Sequence, residues 1–76
     1  MYNQDFKLES PIRMAFIETQ IVQVLKDTGE LSADQIRILL IPKNTISPSL
    51  DEVSSALTIA MSRKIIRKIN DNFVCI

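Results

Sequence analysis

Apolar positions recur at helical spacing through the first third of the chain. Met14, Ile17, Ile21, Val24 and Leu25 stand three and four residues apart and form one stripe. Ser10 suits the N-cap before it, and Pro11 suits the first helical position, where its missing N–H costs nothing. Ile12, Phe16 and Val22 fall off the stripe, so this helix is apolar on more than one side, as a central helix would be. Its β-branched residues weaken helix propensity a little, but the period still favours helix over strand. Gly29 is the only glycine and follows the last periodic residue, where a left-handed C-cap is wanted.

Two capping boxes mark the next two helices. Ser32-Ala33-Asp34-Gln35 places a serine at the cap and a glutamine three residues on, with Asp34 suited to the helix dipole. Ile36, Leu39 and Leu40 are the expected buried face, and Pro42 ends the helix. A loop follows to Ser49. Ser49-Leu50-Asp51-Glu52 is the second box; Ser47 followed by Pro48 is an alternative start half a turn earlier. Leu50, Val53, Ala56, Leu57, Ala60 and Met61 give a one-sided apolar pattern, opposite Asp51, Ser54, Ser55, Thr58 and Ser62.

The period then changes. Ile65-Ile66-Arg67-Lys68-Ile69 and Phe73-Val74-Cys75-Ile76 are two β-branched or apolar runs flanking Asn70-Asp71-Asn72, which reads as a β-hairpin. Asn and Asp tolerate the positive φ such a turn needs. The expected fold is mainly α, of the α+β class: three helices and a C-terminal hairpin over residues 10–76, with residues 1–9 as a flexible N-terminal arm.

Composition narrows what this fold can do. The chain has 76 residues, 46% of them hydrophobic, enough for one small domain with a thin core. That content argues against disorder. A single cysteine excludes a disulfide scaffold, and without histidine neither a classical zinc module nor Ser-His-Asp or Cys-His catalysis can be built. Cys75 reads as a small hydrophobe in a strand. No glycine-rich phosphate loop is present, and Asp34, Asp51 and Glu52 already have capping explanations. An enzyme is not expected, nor a cofactor or metal. The apolar run at Leu39, Leu40, Ile41 and Pro42 is far short of the ~20 residues a membrane span requires. The first ten residues lack the basic start and apolar core of a signal peptide. A cytoplasmic protein with no membrane partner is the expectation.

Charge is balanced in number but not in position. Nine basic residues face nine acidic ones. Residues 1–42 and 47–62 each carry a net −2, Lys43 adds +1, and residues 63–76 carry +3 through Arg63, Lys64, Arg67 and Lys68 against Asp71. Neutrality therefore hides a basic end at the hairpin.

The order helix, short helix, helix, hairpin resembles the winged helix-turn-helix superfamily. The resemblance rests on Ile21-Val22-Gln23-Val24-Leu25-Lys26-Asp27-Thr28-Gly29-Glu30-Leu31-Ser32-Ala33-Asp34-Gln35-Ile36, where a first helix ends in a small turn before a capped second helix. It rests equally on Val53-Ser54-Ser55-Ala56-Leu57-Thr58-Ile59-Ala60-Met61-Ser62-Arg63-Lys64-Ile65-Ile66-Arg67-Lys68, a third helix running into a wing. It implies a short extra strand at Leu31 pairing with the wing. It also implies a small DNA-binding protein acting as a transcriptional regulator, its third helix in the major groove.

In that reading Ser54, Ser55, Thr58 and Ser62 approach the DNA, while Lys43, Arg63, Lys64, Arg67 and Lys68 contact phosphates. The bland alternatives are a solvated polar face and cations that suit a helix C-terminus. Two departures from the superfamily stand out: the loop between the second and third helices is long, with two prolines, and the third helix begins with two acids and no base. The neutral charge and that acidic start keep a protein-interaction winged helix as the second reading. Phe6, Ile12, Phe16 and Ile46 have no place in a thin core. Ile12 and Phe16 share one face and, with Phe6, form a candidate homodimer surface; a second core wall is the alternative.

Overall fold

In the computed structural model, which describes residues 11–76, the helical stripe becomes α1, Pro11–Thr28. Strand β1, Glu30–Ser32, follows, then α2, Ala33–Leu40, and a 3₁₀ turn, Ile41–Lys43. Helix α3, Leu50–Ser62, leads into the hairpin strands β2, Ile66–Ile69, and β3, Asn72–Cys75. The expected arm at residues 1–9, the Ser10 cap and Phe6 lie outside the described residues.

Local chemistry explains the boundaries. Gly29, at φ 101°, closes α1 by donating its N–H to the Leu25 carbonyl at 2.7 Å. Both capping boxes form. The Gln35 N–H donates to Ser32 Oγ at 3.2 Å and the Ser32 N–H to Gln35 Oε1 at 2.9 Å. At α3, the Glu52 N–H donates to Ser49 Oγ at 3.1 Å, and the Ser49 N–H to Glu52 Oε1 at 3.0 Å. The cap is therefore Ser49 and not Ser47.

Helix α3 ends in an arrangement usually closed by glycine. Lys64 takes φ 61°, its N–H donating to the Met61 carbonyl and the Ile65 N–H to the Ala60 carbonyl, each at 3.0 Å. In the hairpin, Asn70 at φ 56° opens a two-residue turn with Asp71, and Asn72 joins β3.

The three strands form one antiparallel sheet in the order β1-β3-β2, with Leu31 opposite Phe73 and Lys68 opposite Phe73 on its other side. The short strand at Leu31 thus pairs with the hairpin as the resemblance implied. Phe73 and Ile66 point inward and meet Ile17, Ile21 and Leu25 of α1, Ile36 and Leu40 of α2, and Val53 and Leu57 of α3 in one cluster. Burying each such side chain stabilises the fold by about 1.5–3 kcal/mol. The whole is a three-helix α/β domain with a C-terminal hairpin, compatible with the winged-helix type.

Two expectations about the core are corrected. Leu39 is exposed, because the two turns of α2 face the core along the side that carries Ala33, Ile36 and Leu40. Leu50 is also exposed: as the first residue of α3 it precedes the stretch that lies over the core. Met61, at the far end of the same pattern, is half-buried.

The long loop between α2 and α3 is tied to α1. Asn44 Nδ2 donates to the Leu40 carbonyl at 2.8 Å and to Gln20 Oε1 at 2.9 Å, and Arg13 Nη2 donates to the Ile46 carbonyl at 3.1 Å. The extra length that departs from a tight turn is thus tied to α1 at Asn44 and Ile46.

Candidate nucleic-acid interface

Helix α3 presents two different sides. Val53, Ala56, Leu57 and Ala60 are buried, and Ser54, Ser55, Thr58 and Ser62 are all exposed on the opposite arc. Thr58 Oγ1 and Ser62 Oγ donate back to the carbonyls of Ser54 and Ile59, at 3.0 and 2.7 Å, so these short side chains lie close to the helix surface. Leu50 and Ile59 are exposed at the margins of this arc.

A cleft runs between α3, the start of α2 and the hairpin tip. Ser54, Thr58 and Met61 line it from α3, Ala33 from α2, and Lys68 and Asp71 from the hairpin. Lys68 lies on the same sheet face as Phe73, its Nζ 5.9 Å from the centre of that ring. An ammonium over an aromatic face is held electrostatically as well as by its stem, which keeps the charge at the cleft. The structure thus brings Ser54, Thr58 and Lys68 together.

The other sequence-selected bases are scattered. Arg67 neighbours Lys68 in β2 and projects from the opposite face of the sheet, as strand alternation requires. Lys64 sits at the left-handed corner after α3 and is exposed. Lys43 is exposed at the end of the 3₁₀ turn. Arg63 lies in a different cleft, against α1, bounded by Ala15, Glu18, Thr19 and Val22. Its Nη1 donates to both Glu18 oxygens, at 3.1 and 3.3 Å.

The two acids at the start of α3 also part company. Asp51 is exposed. Glu52 is buried and turned toward α1, where Arg13 Nε donates to its Oε2 at 2.8 Å and Arg13 Nη2 to its Oε1 at 3.4 Å. The Arg13 hydrogen bond, helped by the Ser49 N–H, holds the Glu52 carboxyl below the usual carboxylate range, and the same contact raises the Arg13 guanidinium further. Of the two acids with which α3 begins, Glu52 is thus internal, as its capping role requires, and only Asp51 faces outward. The partner of Glu52 is 39 positions away in sequence, so no local signal could have disclosed the pair.

Ile12 and Phe16 are exposed along one side of α1 and Ile46 is exposed in the loop; none joins the core cluster. The described residues hold no group of three His, Cys, Asp or Glu side chains placed to bind a metal ion, and no helix long and apolar enough to cross a membrane. No protein-family model, no curated protein and no solved structure matches this chain.

Proposed function

We propose that this is a non-catalytic, duplex-DNA-binding domain of the winged helix-turn-helix kind, acting in transcriptional regulation. The reading is carried by the cleft where Ser54 and Thr58 of α3 stand with Lys68 of the hairpin. Small hydroxyl side chains let a helix backbone approach a groove closely; Ser54 can donate to a phosphate or base edge, and Thr58 Oγ1, whose proton is on the Ser54 carbonyl, can accept from a base-edge amine. A cation on the adjacent wing adds the salt-dependent term common to such complexes. The internal pairing of Glu52 supports the reading further, because it leaves Asp51 as the one exposed acid in the first turn of α3.

Titration of a fluorescent duplex at low salt tests it. Binding should weaken as salt rises, and Lys68→Ala should weaken it about tenfold, the worth of one charge-assisted contact. No binding to any duplex at low salt overturns the proposal.

A second reading has its own support. Helix α3 carries no basic residue between Leu50 and Ser62, and Leu50 and Ile59 are exposed on it, as is Ile38 on α2. An exposed helix face with apolar margins suits a protein partner. Under that reading Leu50→Ser and Ile59→Ser abolish capture of the partner, while Lys68→Ala leaves it unchanged.

A further inference from the structure

Arg63 stands where the chain leaves α3 for the hairpin, and its side chain runs back to α1. The corner it occupies is closed by backbone bonds: Lys64 N–H to the Met61 carbonyl, Ile65 N–H to the Ala60 carbonyl, and Ile76 N–H to the Ile65 carbonyl at 2.9 Å. The end of α3, the corner and the base of the hairpin are therefore joined by backbone hydrogen bonds into one unit. The Arg63–Glu18 pair tethers that unit to α1 across 45 positions of sequence. Glu18 is 8% exposed and faces a partner that is 60% exposed, so the acid is fixed and the arginine comes to it.

We propose that Glu18 and Arg63 are positioning residues for the hairpin: by fixing the corner on α1 they set where Lys68 stands relative to Ser54 and Thr58. The proposal rests on the nucleic-acid reading above and changes the role of Arg63 within it. The Arg63 guanidinium, with Nη1 on Glu18, lies in a cleft on the α1 side and not in the cleft that Ser54, Thr58 and Lys68 line. Its effect on binding passes through the corner to Lys68, which it does not touch.

A double-mutant cycle between Glu18 and Lys68 tests this, using a 20-base-pair duplex at low salt and a temperature at which every variant is folded. Lys68→Ala should weaken binding about tenfold in the parent chain and less than about threefold in Glu18→Gln, because a displaced Lys68 has less contact to lose. Arg63→Lys, which can still pair with Glu18, should retain the parent's response to Lys68→Ala. Arg63→Ala should weaken binding in the parent chain, but in the Lys68→Ala background it should leave the slope of log affinity against log salt unchanged; a phosphate contact made by Arg63 itself would reduce that slope by a further amount of about 0.9. An additive cycle, or a further reduction of the slope by Arg63→Ala in the Lys68→Ala background, overturns the proposal.

Amide exchange on the full chain supplies an arm that needs no DNA. Glu18→Gln should raise exchange in β2 and β3 while the buried stretch around Ile17 and Ile21 stays protected. A uniform rise, or none, overturns the tether. If no variant binds duplex, the nucleic-acid reading falls, and the exchange pattern alone decides whether the pair positions the hairpin.

Discussion

The two ends of α3 are held to α1 by the same chemistry with the polarity reversed. At the N-terminal end the acid belongs to α3 and the cation to α1, through Glu52 and Arg13; at the C-terminal end the acid belongs to α1 and the cation to the residue that caps α3, through Glu18 and Arg63. The pairs differ in depth. Glu52 and Arg13 are 4% and 20% exposed, the guanidinium reaches both carboxylate oxygens, and Ser49 adds a backbone donor. Arg63 is 60% exposed and uses one nitrogen.

A charge pair strengthens as water leaves it and as more of its lone pairs are satisfied. The N-terminal end is thus a fixed anchor, joined to the helix cap itself. The C-terminal end, which carries the hairpin, is a looser joint open to solvent on its cationic side. The hydrophobic core between them is common to both, so the contrast lies in the polar fastenings.

The largest expected effect breaks the contrast at its strong end. Glu52→Ala removes both the Arg13 pair and the return bond of the capping box, and should lower stability by about 2–3 kcal/mol in urea unfolding. A loss no greater than that of the C-terminal variant below would show that depth does not separate the two ends.

The acid limb sharpens the same point. Because the folded state depresses the Glu52 pKa, its contribution is full above the usual carboxylate range and is lost as pH falls through the depressed folded value. Stabilities of the parent and Glu52→Gln should therefore differ most near neutral pH and converge below about pH 4. A constant difference across that range would deny the linkage.

At the weak end, Glu18→Gln removes the charge that draws Arg63 back to α1 and leaves the guanidinium in water. It should cost about 1 kcal/mol or less by the same unfolding measurement, and the cost should shrink in high salt. The smallest effect has the opposite sign. Lys64 holds a left-handed conformation with no glycine to relieve it, so Lys64→Gly should stabilise the domain by about 0.5–1 kcal/mol, visible as a raised Tm. A destabilised Lys64→Gly would mean that the lysine side chain contributes more at this corner than its backbone costs.

Much of the local structure was legible from short spacings. The boxes at Ser32–Gln35 and Ser49–Glu52, the cap at Gly29 and the stripe from Met14 to Leu25 each depend on residues within a few positions of one another, and each is present. Leu39 and Leu50 are exposed, against their periodicity, for the complementary reason. Periodicity defines a face to within a residue, but which edge of that face meets a neighbour depends on the neighbour. Of the candidate site, the exposed serine and threonine arc of α3 could be read from its pattern, and so could the run of bases after it. That run divides on folding, since Arg63 closes onto Glu18, Lys68 joins the cleft and Arg67 takes the other sheet face.

The sequence by itself therefore determined three helices and a hairpin, with ends placed to within a residue or two, because those are set by hydrogen bonds and apolar contacts between near neighbours. The tertiary structure alone decided which charges are spent inside the molecule. Arg13 meets Glu52 and Arg63 meets Glu18 across 39 and 45 positions, separations that no local pattern encodes. The even count of nine bases and nine acids acquires meaning only there, with two of each drawn into holding α3 on α1 and Lys68 left at the cleft beside Ser54 and Thr58.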